Sequence, residues 1–209
     1  ENVFPLPVSR KAGFSYIMEP YFTQQLGLFY RTTSEKDKLD EFLNCIPAKF
    51  RYIDFNLNTS NKIHDSGKVT GMTNLELELS GDYMDLIKGY QNNLLRNLKK
   101  AAQNKITLSK HVRPEEIISL FRKNKGQELT HLNNKQYAML QDIAYTSINK
   151  GIGEIWGAYD ESNQLLAAIL WVTSQRKAIF LFSALSGTGK KLNAMPWLID
   201  TFIQQNAGK

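Results

Sequence analysis

The sequence predicts a mixed α/β or α+β protein with a largely antiparallel sheet and flanking helices, and three features carry that expectation. Residues 153–185 hold three apolar or alternating stretches separated by short polar turns, which read as a three-strand meander. Behind them Met195, Leu198, Ile199, Phe202 and Ile203 recur at helical spacing. Strand and helix signals mix along the whole chain, without repeats or low-complexity segments.

Taken in order, residues 3–8 and 14–18 read as strands around a turn at 9–13. Ser34 is placed to cap a helix carrying Leu39, Phe42, Leu43 and Ile46, which Pro47 stops. Residues 50–56 read as a strand. Leu75, Leu77 and Leu79, alternating with Asn74, Glu76 and Glu78, predict a half-buried one. Asp82 caps a short helix, and residues 92–103 form the next, with Leu94, Leu95, Leu98, Ala101 and Ala102 on the apolar side and Arg96, Lys99 and Lys100 toward solvent. A short strand at 106–108 leads to a helix opened by Pro114 and closed before Gly126. A further helix, with Tyr137, Leu140, Ala144, Ser147 and Ile148 on one face, ends near Gly151. Asp160-Glu161-Ser162-Asn163 and Ser174-Gln175-Arg176-Lys177 supply the meander's turns, and Asn193 and Pro196 suit the start of the last helix.

A chain of 209 residues, 42% hydrophobic and 22% charged, suffices for one sizeable core or two smaller ones and excludes disordered and fibrous classes. The net charge of +6 favours anionic partners: CoA, tRNA, nucleotide-linked sugars or an acidic membrane face, including peripheral membrane contact. No apolar run reaches membrane-spanning length and no signal peptide is visible. Cys45 is the sole cysteine, so no intramolecular disulfide forms and a reducing, cytoplasmic compartment is the simpler reading. Cys45 itself reads as core rather than nucleophile. His64, His111 and His131 lack metal-ligand spacing, and no metal site is expected.

Gly187-Thr188-Gly189-Lys190-Lys191 joins the meander to the last helix. Unpaired helix N–H groups, glycine backbone and two lysines would converge there, which suits a pyrophosphate; a solvated connection accounts for the same residues equally well. A magnesium-nucleotide loop is not expected, because Ala184 and Lys191 occupy the positions where that motif needs glycine and a hydroxyl residue.

The order strand, helix, helix, meander, turn, helix resembles the first two-thirds of the GNAT acyltransferase fold. The blocks Phe4-Pro5-Leu6-Pro7, Glu19-Pro20-Tyr21-Phe22-Thr23-Gln24-Gln25-Leu26-Gly27 and Asn92-Asn93-Leu94-Leu95-Arg96-Asn97-Leu98-Lys99-Lys100-Ala101 resemble the Fem-like peptidoglycan transferases. That resemblance implies a bacterial protein of two tandem GNAT-like halves, at 1–104 and 105–209, with sequence before Glu1 and strands after Lys209. It implies no tightly bound cofactor, an acyl-CoA or aminoacyl-tRNA as donor substrate, and an amine as acceptor. Gly187, Thr188, Gly189, Lys190 and Lys191 would face the donor. In acetyl-CoA-binding members two positions of this loop are small; Asn193 and Met195 stand there, and Met195 would crowd a pyrophosphate, which favours the aminoacyl-tRNA branch.

Amide-forming transfer needs a base, an oxyanion donor and positioning rather than a covalent residue. Glu154, near the start of the first meander strand, is the candidate base, and Tyr159 the candidate acid; a strand-edge carboxylate and a packing tyrosine are the plainer readings. Tyr21, Gln24 and Gln25 are candidates for an acceptor cleft, and Arg96, Lys99 and Lys100 for a phosphorylated substrate. Two other classes remain: a non-catalytic module gripping CoA or a nucleotide-linked glycan, and RNA binding through Arg96, Lys99 and Lys100, which lacks interleaved aromatics. Oligomeric state is not legible.

Overall fold

The computed structural model describes residues 2–31, 38–63, 69–129 and 132–209. Ser34, His64 and His131 lie outside the described residues. The chain divides into two compact units, Glu1–Glu76 and Leu77–Lys209, so the junction expected at 104/105 falls inside the second unit. The cause is local: helix α3 (Asn92–Ala102) packs on helix α7 (Ala194–Asn206), and the Gly208 N–H donates to the Leu79 carbonyl at 2.8 Å.

In the first unit β1 (Val8–Lys11) and β2 (Phe14–Met18) form an antiparallel hairpin, and β3 (Ile53–Asp54) pairs with β2 in parallel. Residues 3–7 and the flanks of β3 stay outside the sheet; Val3 makes only an isolated bridge to Phe29. Helix α1 (Leu39–Asn44) contributes the fully buried Leu39, which joins Ile17 and Leu28 in the core. Cys45, expected in the core, follows α1 and is exposed. The half-buried strand expected around Leu75–Leu79 does not form: Leu75 is 90% exposed and Leu77 55%, and only Leu79 packs inward. Alternation fits a half-buried strand but cannot supply a partner strand, and without one the ladder hydrogen bonds are lost.

The second unit is a four-stranded antiparallel sheet in the order β4 (Thr107–Ser109), β5 (Gly153–Tyr159), β6 (Leu165–Ser174), β7 (Lys177–Leu185). Helix α4 (Pro114–Lys123) and helix α5 (Asn134–Asn149) pack against it. Helix α7 covers the other face through Leu198 and Phe202, which meet Trp156, Ala167, Ile169 and Trp171. With helices on both faces β6 is buried almost continuously from Leu166 to Trp171, where alternation alone would predict a one-sided strand. Phe202 stacks on Trp171 at 3.8 Å between ring centroids and meets Trp156 edge-on at 5.1 Å.

Turn chemistry fixes the meander. Asp160 Oδ1 accepts the N–H groups of Ser162 and Gln164, both at 2.9 Å, and closes the first hairpin. Gln175 and Arg176 close the second with φ of 49° and 63°, the left-handed geometry of a two-residue hairpin turn without its usual glycine. Leu181 is skipped in the register between Leu170–Phe182 and Trp171–Phe180, which marks a bulge in β7.

Candidate functional site

The Gly187–Lys191 segment is a helical turn, α6, rather than an open loop. Ser186 caps it. Its Oγ accepts the Gly189 N–H at 2.8 Å and its carbonyl accepts the Lys190 N–H at 2.9 Å, while Leu192 N–H donates to the Thr188 carbonyl. Of the turn's three leading N–H groups, that of Gly189 is therefore held by the cap. Gly189 is buried, and a Cβ there would collide with the Leu166 carbonyl, so its glycine is a packing requirement. Gly187, Thr188, Lys190 and Lys191 are exposed. Asn193 begins α7 in the left-handed region, φ 57°, without a side-chain cap, and Met195 is half-buried and packs against the core.

Glu154 sits at the other end of the sheet. It pairs with Trp171, which pairs with Phe180, five residues before Leu185; at about 3.3 Å per residue the turn is roughly 16 Å away. Its Oε2 accepts the Trp156 indole N–H at 2.7 Å, and Lys110 Nζ lies 4.3 Å from the Trp156 ring centroid. The indole is 2% exposed and cannot move, so it fixes the rotamer of an exposed carboxylate. Trp171, 7% exposed, leaves its own indole N–H without an acceptor among the described residues. Tyr159 lies at the same end of the sheet as α6, opposite to Glu154 along β5, so the two candidate catalytic groups do not meet. Burial raises the Tyr159 pKa first of all, the Glu116 carboxylate adds to this, and Arg113 opposes it.

Arg96, Lys99 and Lys100 are exposed on α3 as expected; Arg96 Nη2 donates to Asn93 Oδ1 at 3.3 Å. Beneath them Ala101 is buried and Leu94 and Leu98 are half-buried, but Leu95, expected inside, is 37% exposed. In the first unit Tyr21 is 40% exposed beside Phe22, and Gln25 Nε2 donates to Asn74 Oδ1 at 3.3 Å. Gln24 is exposed. Gly27 has φ 107°, and a side chain there would strike Asn61, whose amide clasps both the N–H and carbonyl of Leu28. Glu19 opens the same block; one carboxylate oxygen accepts from Asn56 N–H and Nδ2 while the other is buried without a partner among the described residues, and burial raises its pKa.

One polar cluster escaped the sequence reading. Tyr83 Oη, on helix α2 (Tyr83–Leu86), lies 3.0 Å from both Asp200 oxygens, and Tyr90 Oη donates to Oδ1 at 2.9 Å. Burial, then the Asp200 charge and hydrogen bond, push the Tyr83 pKa up to about 12. Burial and the same carboxylate raise Tyr90 as well. Asp200 falls on the α7 face that periodicity marks as polar, which was its only signal. Among the described residues no group of His, Cys, Asp and Glu is arranged to hold a metal, and no helix is long and apolar enough to cross a membrane.

No protein-family model matches the chain, and no curated protein does. Solved structures include a similar chain, an acetyltransferase of the GNAT family from Staphylococcus aureus Mu50; the two are 21% identical, the match covers 48% of this chain and 68% of that one, and the TM-score is 0.33.

Proposed function

We propose that the second unit transfers an acyl group, preferably an aminoacyl group, to an amine in the manner of the Fem-like transferases its sequence resembles. The observation that carries the reading is the corner where β7 ends in the Ser186-capped turn. Its lysines reach solvent while the Ser186 hydroxyl already holds the Gly189 N–H, which favours side-chain contact with a polyanion over a backbone cradle for pyrophosphate. Glu154 is the assigned base: the amine nitrogen attacks the donor carbonyl, the C–N bond forms, the donor C–O bond breaks, and the proton lost by nitrogen passes to the carboxylate and on to the leaving oxygen. Trp156 positions Glu154. Arg96, Lys99 and Lys100 are assigned to donor phosphates.

Calorimetry on the full-length protein tests the donor class. Acetyl-CoA should bind weakly or not at all. Low-micromolar binding abolished by Lys190→Ala and Lys191→Ala would overturn the aminoacyl preference in favour of CoA-dependent N-acetyl transfer. Stabilisation by a nucleotide-linked glycan without turnover of any donor would make the protein a non-catalytic binding module.

A further inference from the structure

One end of the first unit's sheet gathers cations around an exposed aromatic. The β1–β2 hairpin turns through Ala12 and Gly13, at φ 50° and 81°, and places Phe14 at its tip with 71% of its surface exposed. Lys11 lies directly across from Phe14, and Arg10 across from Ser15; both are exposed. Because β3 runs parallel to β2, the chain entering it arrives at this same end, bringing the exposed Lys49 and Arg51. Lys49 Nζ lies 5.2 Å from the Phe50 ring centroid. The one carboxylate of these strands, Asp54, pairs with Met18 at the far end and accepts from Tyr52 Oη at 3.0 Å.

Packing in this unit does not account for the arrangement, since a bare phenyl at a hairpin apex loses contact with the core and gains nothing in water. At the boundary of a bilayer the same features cooperate. The ring enters the acyl region while the long basic side chains reach headgroup phosphates. A stacking platform for single-stranded nucleic acid needs a row of open rings. Here Tyr16 is half-buried edge-on to Tyr52, Phe50 is half-buried, and Tyr52, 55% exposed, is tied back to Asp54 through its hydroxyl, which leaves Phe14 as the most exposed ring and no open row.

We propose that this tip, Arg10, Lys11, Phe14, Lys49 and Arg51, docks the protein on an anionic lipid surface. It is independent of the transfer reading. The test is sedimentation of the full-length protein with vesicles of equal parts phosphatidylglycerol and phosphatidylcholine, against phosphatidylcholine alone. Binding should require the anionic lipid and fall with salt, and Arg10→Glu with Arg51→Glu should weaken it by about thirty-fold or more. Phe14→Trp should report insertion by a blue-shifted emission that appears only with anionic vesicles. Phe14→Ser should lower binding while leaving the thermal midpoint unchanged, so that loss of fold is not mistaken for loss of docking. Absence of vesicle binding, binding indifferent to these substitutions, or retention of single-stranded RNA by the same residues without vesicle binding would each overturn the proposal.

Discussion

At the scale of the residue, the two tyrosines on Asp200 are the strongest polar contact of the second unit that no sequence pattern announces, because Tyr83 and Tyr90 meet it across more than a hundred positions. A group whose folded pKa is raised binds its proton more tightly in the native state, so its contribution is complete below about pH 10, the unfolded tyrosine range, and is lost as pH climbs toward about 12. Denaturant melts of wild type against Tyr83→Phe should therefore differ at neutral pH, by about 1–2 kcal/mol for a hydrogen bond to a carboxylate, and converge between those limits. A difference that persists unchanged above pH 12 would assign the effect to packing of the ring. Gly189 gives the opposite lesson about legibility. The sequence marks it as a turn glycine suited to an anion, and the structure shows a buried glycine pressed on the Leu166 carbonyl. Gly189→Ala should cost about 2 kcal/mol or more in stability, measured by chemical denaturation, where an anion-binding glycine would leave stability nearly unchanged.

At the scale of the element, the meander, the helices α3, α4, α5 and α7 and the polar face of α3 were legible because period and punctuation agreed along each of them. The weak strands were not. Residues around Leu75 and Leu77 alternate as a strand should, yet strand formation needs a neighbour, and that information is not local. Alternation also failed in the other direction on β6, whose burial on both faces depends on which helices arrive to cover it. The β6–β7 hairpin keeps left-handed geometry at two residues with side chains, and Gln175→Asn together with Arg176→Gly should raise stability by about 1 kcal/mol without altering transfer. The basic face of α3 supports a different expectation. Alanine at Arg96, Lys99 and Lys100 should change stability by less than about 0.5 kcal/mol, since all three side chains stand in solvent, while weakening a phosphorylated donor and flattening its salt dependence. Unchanged donor affinity at low salt would return that face to plain solubility.

At the scale of the whole molecule, the class expected from the sequence is the class observed, a mixed α+β chain whose strand pairs are antiparallel except β2–β3. The division into units at Glu76/Leu77 was not legible, because Leu77–Leu79 looks continuous with the segment before it and joins the second unit through tertiary contacts, the packing of Leu79 on the core and the Gly208 hydrogen bond. Candidate site residues were legible as types and not as a constellation: Glu154 and the α6 lysines occupy opposite ends of one sheet, a separation that an extended donor lying along the unit would have to bridge. The account therefore stands or falls on transfer itself. Full-length protein should move label from an aminoacyl-tRNA to an amine acceptor, and Glu154→Gln, which keeps the shape and removes the base, should lower the rate by about a hundred-fold or more with the fold intact. No transfer from aminoacyl-tRNA, or transfer that Glu154→Gln leaves untouched, would contradict it.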